Sequence, residues 1–161
     1  MRNQFSFEYL FSYSVSIGDM YRMKQSPLGL RTIGYITEGI VWGDRIQGKI
    51  LPGGGDWCVL RTDGVSCPDV RCMIRTEDGA EIFMQYRGKM DAGENGYEDY
   101  CNSVFPPVNF IATAVELETE DENYRWLNRK QCFGVGQVDR TQTPVKVQYD
   151  VYALNSLPGE F

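Results

Sequence analysis

The sequence predicts an all-β protein: a single antiparallel β-barrel of about eight or nine strands with at most one short helix. Three observations carry that expectation. Apolar and polar residues alternate over most of the chain, which is the period of a half-buried strand. Turn pairs such as Asp63-Gly64 and Asp78-Gly79 recur between the alternating runs. Helical periodicity is nearly missing. With 161 residues the chain has the length of one domain able to bury a proper core.

The elements follow in order. Phe5, Phe7, Tyr9, Phe11, Tyr13, Val15 and Ile17 alternate with mostly polar residues and predict a first strand with an aromatic face. Gly18-Asp19 is expected to end it, and Ser26-Pro27-Leu28-Gly29 reads as a turn. A second strand is expected over 31–42, and Gly43-Asp44 turns into 45–51. The stretch Leu51-Pro52-Gly53-Gly54-Gly55-Asp56-Trp57 comes next. Its three glycines permit backbone angles closed to other residues and a close approach to a ligand or another strand. It lacks the Lys-Ser/Thr ending and the following helix of a phosphate loop. Strands are then expected over 57–61, 65–75 and 80–87, separated by the two Asp-Gly turns. A short helix over 97–103, strands over 104–117, 131–138 and 145–154, and a loose tail over 155–161 complete the chain. Closing these strands into a barrel removes their exposed edges.

Composition excludes several classes. The net charge of −6 argues against a nucleic-acid surface, which needs a basic stripe. Basic residues are scattered, so no membrane-binding face is expected, and no apolar run has the length of a membrane span. The start Met1-Arg2-Asn3-Gln4-Phe5-Ser6-Phe7-Glu8 does not read as a signal peptide, so the expected location is cytoplasmic. The five cysteines are irregularly spaced without a Cys-x-x-Cys pair, which argues against a disulfide framework or a zinc site. Histidine is absent, which removes Ser-His-Asp and Cys-His catalysis. No metal and no cofactor are expected.

Candidate chemistry lies in four places. Asp69 and Arg71 are two apart in one strand and share a face. In the lumen they would be an acid–base or oxyanion-clamping pair, and outside they would be a solvated pair. Lys49 and Asp56 flank the glycine loop, and burial would move both their pKa values. Trp57 and Tyr86 are candidate ligand contacts, with Tyr86 on the face of Ile82 and Met84. In Tyr124-Arg125-Trp126-Leu127-Asn128-Arg129, the side chains of Tyr124, Trp126 and Asn128 would share a lining face if the segment is extended. The alternative is a tryptophan anchoring a loop onto the core.

These motifs also carry a resemblance. The glycine loop, Arg61-Thr62-Asp63-Gly64-Val65, Asp69-Val70-Arg71, Thr76-Glu77-Asp78-Gly79-Ala80, Tyr86-Arg87-Gly88, the Trp-Leu-Asn-Arg stretch, Gly134-Val135-Gly136 and Tyr149-Asp150-Val151-Tyr152 occur in this order. Together they resemble the domain of unknown function 3237, also called uncharacterised protein family 0311, over nearly the whole chain. The resemblance implies a compact antiparallel β-barrel and leaves the biochemical role open.

The expected function is an acid–base enzyme without a cofactor: an isomerase, cyclase or lyase. Its substrate would be a small hydrophobic oxygenated metabolite of natural-product biosynthesis. Asp56 or Asp69 would be the base, and Arg71, Lys49 or Tyr86 the acid or oxyanion stabiliser. Trp57, Tyr124 and Trp126 would wall the ligand, and the aromatic first strand suggests a polycyclic one. The alternative is a carrier barrel with the same cavity and no chemistry. A third reading is an oligomerising structural protein whose aromatic first strand is an interface; a homodimer is compatible with all three.

Overall fold

Alternation dictates strands almost throughout. The structure, a computed structural model, describes residues 4–156. Among these residues eleven strands make one sheet: β1 (Phe5–Ser26), β2 (Gly29–Trp42), β3 (Gly48–Ile50), β4 (Gly55–Asp56), β5 (Val59–Leu60), β6 (Val65–Cys67), β7 (Asp69–Thr76), β8 (Glu81–Asp91), β9 (Val108–Glu118), β10 (Cys132–Asp139) and β11 (Lys146–Ser156). One short helix, α1 (Gly96–Cys101), precedes β9, and a 3-10 turn spans Arg125–Arg129. No described helix is long and apolar enough to cross a membrane.

β3, β4 and β5 lie end to end along β2, and each also pairs with β7 or β6. β6 and β7 in turn lie end to end along β8. Each group acts as one broken stave. Every stave pairs antiparallel with the next in sequence, and β11 closes onto β1. The result is an up-and-down barrel with eight strands around its ring.

The glycine loop makes the break between β3 and β4. Gly53 has φ +100°, open to glycine at little cost. A Cβ on Gly54 would lie 2.7 Å from the Arg71 carbonyl oxygen and 2.8 Å from the Cys72 Cβ. The loop is therefore a place where backbone touches the neighbouring stave.

Two expectations about β1 are corrected. The strand does not end at Gly18-Asp19 but runs on to Ser26, because β2 pairs with it up to the Ser26–Gly29 hairpin. Nor do its aromatics share one face. The register shifts between Tyr9 and Phe11, and a slip of one residue reverses the face. Phe5, Phe7 and Tyr9 are exposed, whereas Phe11, Tyr13 and Val15 are buried inside. Asn155 and Ser156 continue β11, and the rest of the expected tail, 157–161, lies outside the described residues.

The two halves of the barrel differ. Near the 42–48, 76–81 and 118–132 connections the interior is packed solid by Ile46, Ile50, Ile74, Ile82, Met84 and Leu127. Each such side chain contributes about 1.5–3 kcal/mol by leaving water. The other half, below the 26–29, 61–64, 91–107 and 139–146 connections, is hollow.

Candidate active site

The hollow half is a cavity of about 400 Å³, within the range of small-molecule sites. Its walls are mainly aliphatic, with Val15, Ile17, Leu30, Ile36, Leu60 and Val70 among them. Polar groups gather at two levels: a floor around Asp56 and a mouth around Arg22, Arg140, Tyr100 and Phe105.

Period two explains the floor. After the glycine loop, Asp56, Cys58 and Leu60 all face the cavity, so Trp57 and Val59 face out. Register then sets the neighbours of Asp56. It pairs with Gly34 on one side and Val70 on the other, and Val70 pairs with Tyr86. A Cβ at Gly34 would meet Ile17 at 3.0 Å and Met20 at 3.5 Å, so glycine there makes room for these two side chains. The Asp69 backbone N–H donates to Asp56 Oδ1 at 3.0 Å. Burial pushes the Asp56 carboxyl up to about 6; the hydrogen bond from Asp69 opposes the shift and the Asp69 charge adds to it.

Tyr86 and Tyr149 complete the floor, and Tyr13 packs behind them without lining the cavity. Tyr13 and Tyr149 are register partners and stack at 5.3 Å, and Tyr86 lies 5.3 Å from Tyr149. Glycines seat the Tyr149 ring: a Cβ at Gly136 would fall 2.4 Å from it and one at Gly134 3.1 Å. Burial drives all three hydroxyls upward in pKa, so they stay protonated. The negative charge of Asp56 contributes to that rise at Tyr13 and Tyr149. The Tyr13 hydroxyl lies near Tyr86, yet among the described residues no partner meets hydrogen-bond geometry. Cys58 donates to or accepts from Ser66 at 3.0 Å, and burial pushes its thiol up to about 12, which keeps it un-ionised.

Among the sequence candidates the structure brings Asp56 and Tyr86 together at the cavity and places the others elsewhere. Asp69 and Arg71 alternate with the inward Val70, Cys72 and Ile74, so they lie on the outer face. There Asp69 pairs with Arg71 and with Arg87, each at 3.2 Å. Asp69 reaches the site through its backbone alone. Trp57 lies outside beneath Arg71, 5.6 Å from ring centre to guanidinium. Lys49 is exposed on β3, facing away from Asp56, so the glycine loop does not fold the two together. The 124–129 segment is corrected as well. It forms a 3-10 turn instead of a strand, and it sits at the packed end. Tyr124 donates to Asp78 at 3.1 Å, Trp126 stacks under Arg45 at 3.7 Å, and Asn128 bonds both the N–H and the carbonyl of Thr119 at 2.9 Å. Leu127, fully buried, plugs that end of the barrel.

Sequence reasoning missed Tyr13, Tyr149, Arg22, Arg140, Tyr100 and Phe105. Tyr13 stood in the alternating run, but only the bulge decides its face. The two glycines of Gly134-Val135-Gly136 were the available signal for a bulky ring lying over them from the neighbouring strand.

A family model described as "Protein of unknown function (DUF3237)" matches residues 5–154. The chain belongs to this family. A UPF0311 protein of Rhodopseudomonas palustris (strain TIE-1) is 28% identical to this DUF3237 chain over 137 residues, covering 79% of the chain and 84% of the relative. The crystal structure of a protein of unknown function from Clostridium acetobutylicum superposes with a TM-score of 0.83 at 25% identity, covering 94% of this chain and 98% of that one. A third relative carries an activity in its name. The "Hydroalkoxylation enzyme phnH" of Penicillium herquei is 28% identical over 127 residues, covering 79% of this chain and 71% of the relative. This DUF3237 barrel therefore has an enzyme among its relatives.

Proposed function

We propose that the protein is an acid–base enzyme that isomerises or cyclises a small hydrophobic oxygenated metabolite in its cavity, with Asp56 as the proton-transferring group. The observation that carries this reading is the Asp56 carboxyl, facing an apolar cavity with its pKa pushed up to about 6. A carboxyl of ordinary pKa is protonated about one time in a thousand at pH 7, and one near 6 about one time in ten. Such a group both gives and takes a proton near neutrality.

The named activity of the Penicillium relative supports one specific form, addition of a hydroxyl across a carbon–carbon double bond. Protonated Asp56 gives its proton to one alkene carbon. The substrate hydroxyl oxygen bonds to the other carbon and releases its proton to the Asp56 carboxylate. One C–H and one C–O bond form, one O–H and one π bond are lost, and Asp56 ends as it began. The faces of Tyr86 and Tyr149 suit the transient positive carbon. Tyr86 also offers a hydroxyl to a substrate oxygen. The mainly aliphatic walls offer water few hydrogen-bonding partners near that carbon.

The test uses an alkenyl phenol or enol substrate and the variant Asp56→Asn. Turnover is expected to fall about 10²–10⁴-fold with binding retained. A wild-type protein that binds such ligands tightly and returns them all unchanged is a carrier, and the enzyme reading is then wrong.

A further inference from the structure

The cavity mouth carries two positive charges that no carboxylate among the described residues pairs with. Arg22 and Arg140 both line the cavity. Their hydrogen bonds go to neutral acceptors. Arg22 donates to Ser103 Oγ at 3.0 Å and to the Tyr100 carbonyl. Arg140 donates to Asn109 Oδ1 at 2.5 Å, to the Tyr100 hydroxyl at 3.2 Å and to the Pro106 carbonyl at 3.3 Å. Both guanidiniums sit against the one Phe105 ring, at 5.5 and 5.6 Å.

Acids are not scarce in this chain, which has 22 against 16 basic residues. Asp139, next to Arg140, turns instead to Thr141 and Gln142. Two like charges gathered at an apolar opening cost free energy until an anion joins them. At the floor the arrangement is reversed, because Asp56 is the single carboxylate among the lining residues. An anionic group turned inward would face that carboxylate, and one turned outward meets two guanidiniums.

We propose that Arg22 and Arg140 form an oxyanion-recognising mouth. It selects ligands with an apolar body and one ionised oxygen group, such as a carboxylate, sulfonate or acidic enol, and it seats that group outward. This inference rests on the cavity being the substrate site, and it adds the substrate's charge and its orientation. The unionised hydroxyl and the alkene then lie toward Asp56. Arg22 and Arg140 are specificity determinants and take no part in the proton transfer.

The test compares two fluorescent probes that differ by one anionic group, 8-anilinonaphthalene-1-sulfonate and neutral N-phenyl-1-naphthylamine. The wild type is expected to favour the sulfonate by about tenfold or more, with the preference shrinking as salt is added. Arg22→Gln and Arg140→Gln should each weaken sulfonate binding about tenfold and leave the neutral probe within about twofold. Both arginines also hold the Tyr100–Phe105 segment, so Arg→Lys variants keep the charge while dropping the fork of hydrogen bonds. They should retain the sulfonate preference. Equal binding of the two probes by the wild type overturns the proposal. So does loss of both probes together in the Gln and the Lys variants, which would make the arginines straps only. Turnover in Asp56→Asn is read separately, so either result can fail while the other stands.

Discussion

Replacing Asp56 by asparagine removes the single carboxylate that lines the cavity while keeping an oxygen that can accept the Asp69 N–H. The magnitude follows from the raised pKa. The carboxyl moves from 3.8 to about 6 on folding, with burial as the cause. That is about two pH units at about 1.4 kcal/mol each, so about 3 kcal/mol in all. The direction follows from which state holds the proton. Well below 3.8 the group is neutral in both states and burial costs little. Between 3.8 and about 6 the unfolded chain ionises while the folded one keeps its proton, so the folded state loses stability as pH rises. Above about 6 both are ionised and the loss is complete. Asparagine has no such term. Urea unfolding of both proteins, from about pH 3 to about pH 8, should show the variant gaining on the wild type by about 3 kcal/mol, mostly across that window. The difference between the two proteins cancels the other titrating groups. A gap that stays constant within about 0.5 kcal/mol over this range would falsify the buried, perturbed carboxyl.

Other outcomes follow from the same geometry. Turnover by the wild type should fall as pH rises above about 6, because the acid form of Asp56 starts the reaction; a rate that climbs through that region would reverse the order of the proton transfers. Tyr13→Phe removes a buried hydroxyl with no partner among the described residues and should leave stability unchanged or raise it by up to about 2 kcal/mol in denaturant melts. Gly136→Ala drives a methyl into the Tyr149 ring and should cost about 1–3 kcal/mol in the same measurement, with turnover reduced as the ring shifts. Arg71→Gln breaks an exposed pair on the outer face and should change stability by no more than about 1 kcal/mol, with turnover within about twofold of wild type; a large loss of activity would place that face in the mechanism.

The alternation of the chain determined its strands, their antiparallel order and the closed barrel. Each of these depends on period two and on short turns, which are local properties of sequence. The inward direction of Asp56 and Tyr86, and the outward direction of Asp69 and Arg71, needed one more fact. Alternation says which residues share a face, but only packing of the closed sheet says which face is inside. Two local irregularities were decided the same way. The slip at Tyr9–Phe11 turned Tyr13 inward, and the Arg125–Arg129 segment wound into a turn to plug the packed end with Leu127. The mouth was invisible in the sequence. Arg22, Tyr100, Phe105 and Arg140 are scattered along the chain, and only barrel closure brings β1, the α1 segment and the β10–β11 connection to one opening. Their meeting is a matter of long-range topology, which no local window of residues encodes.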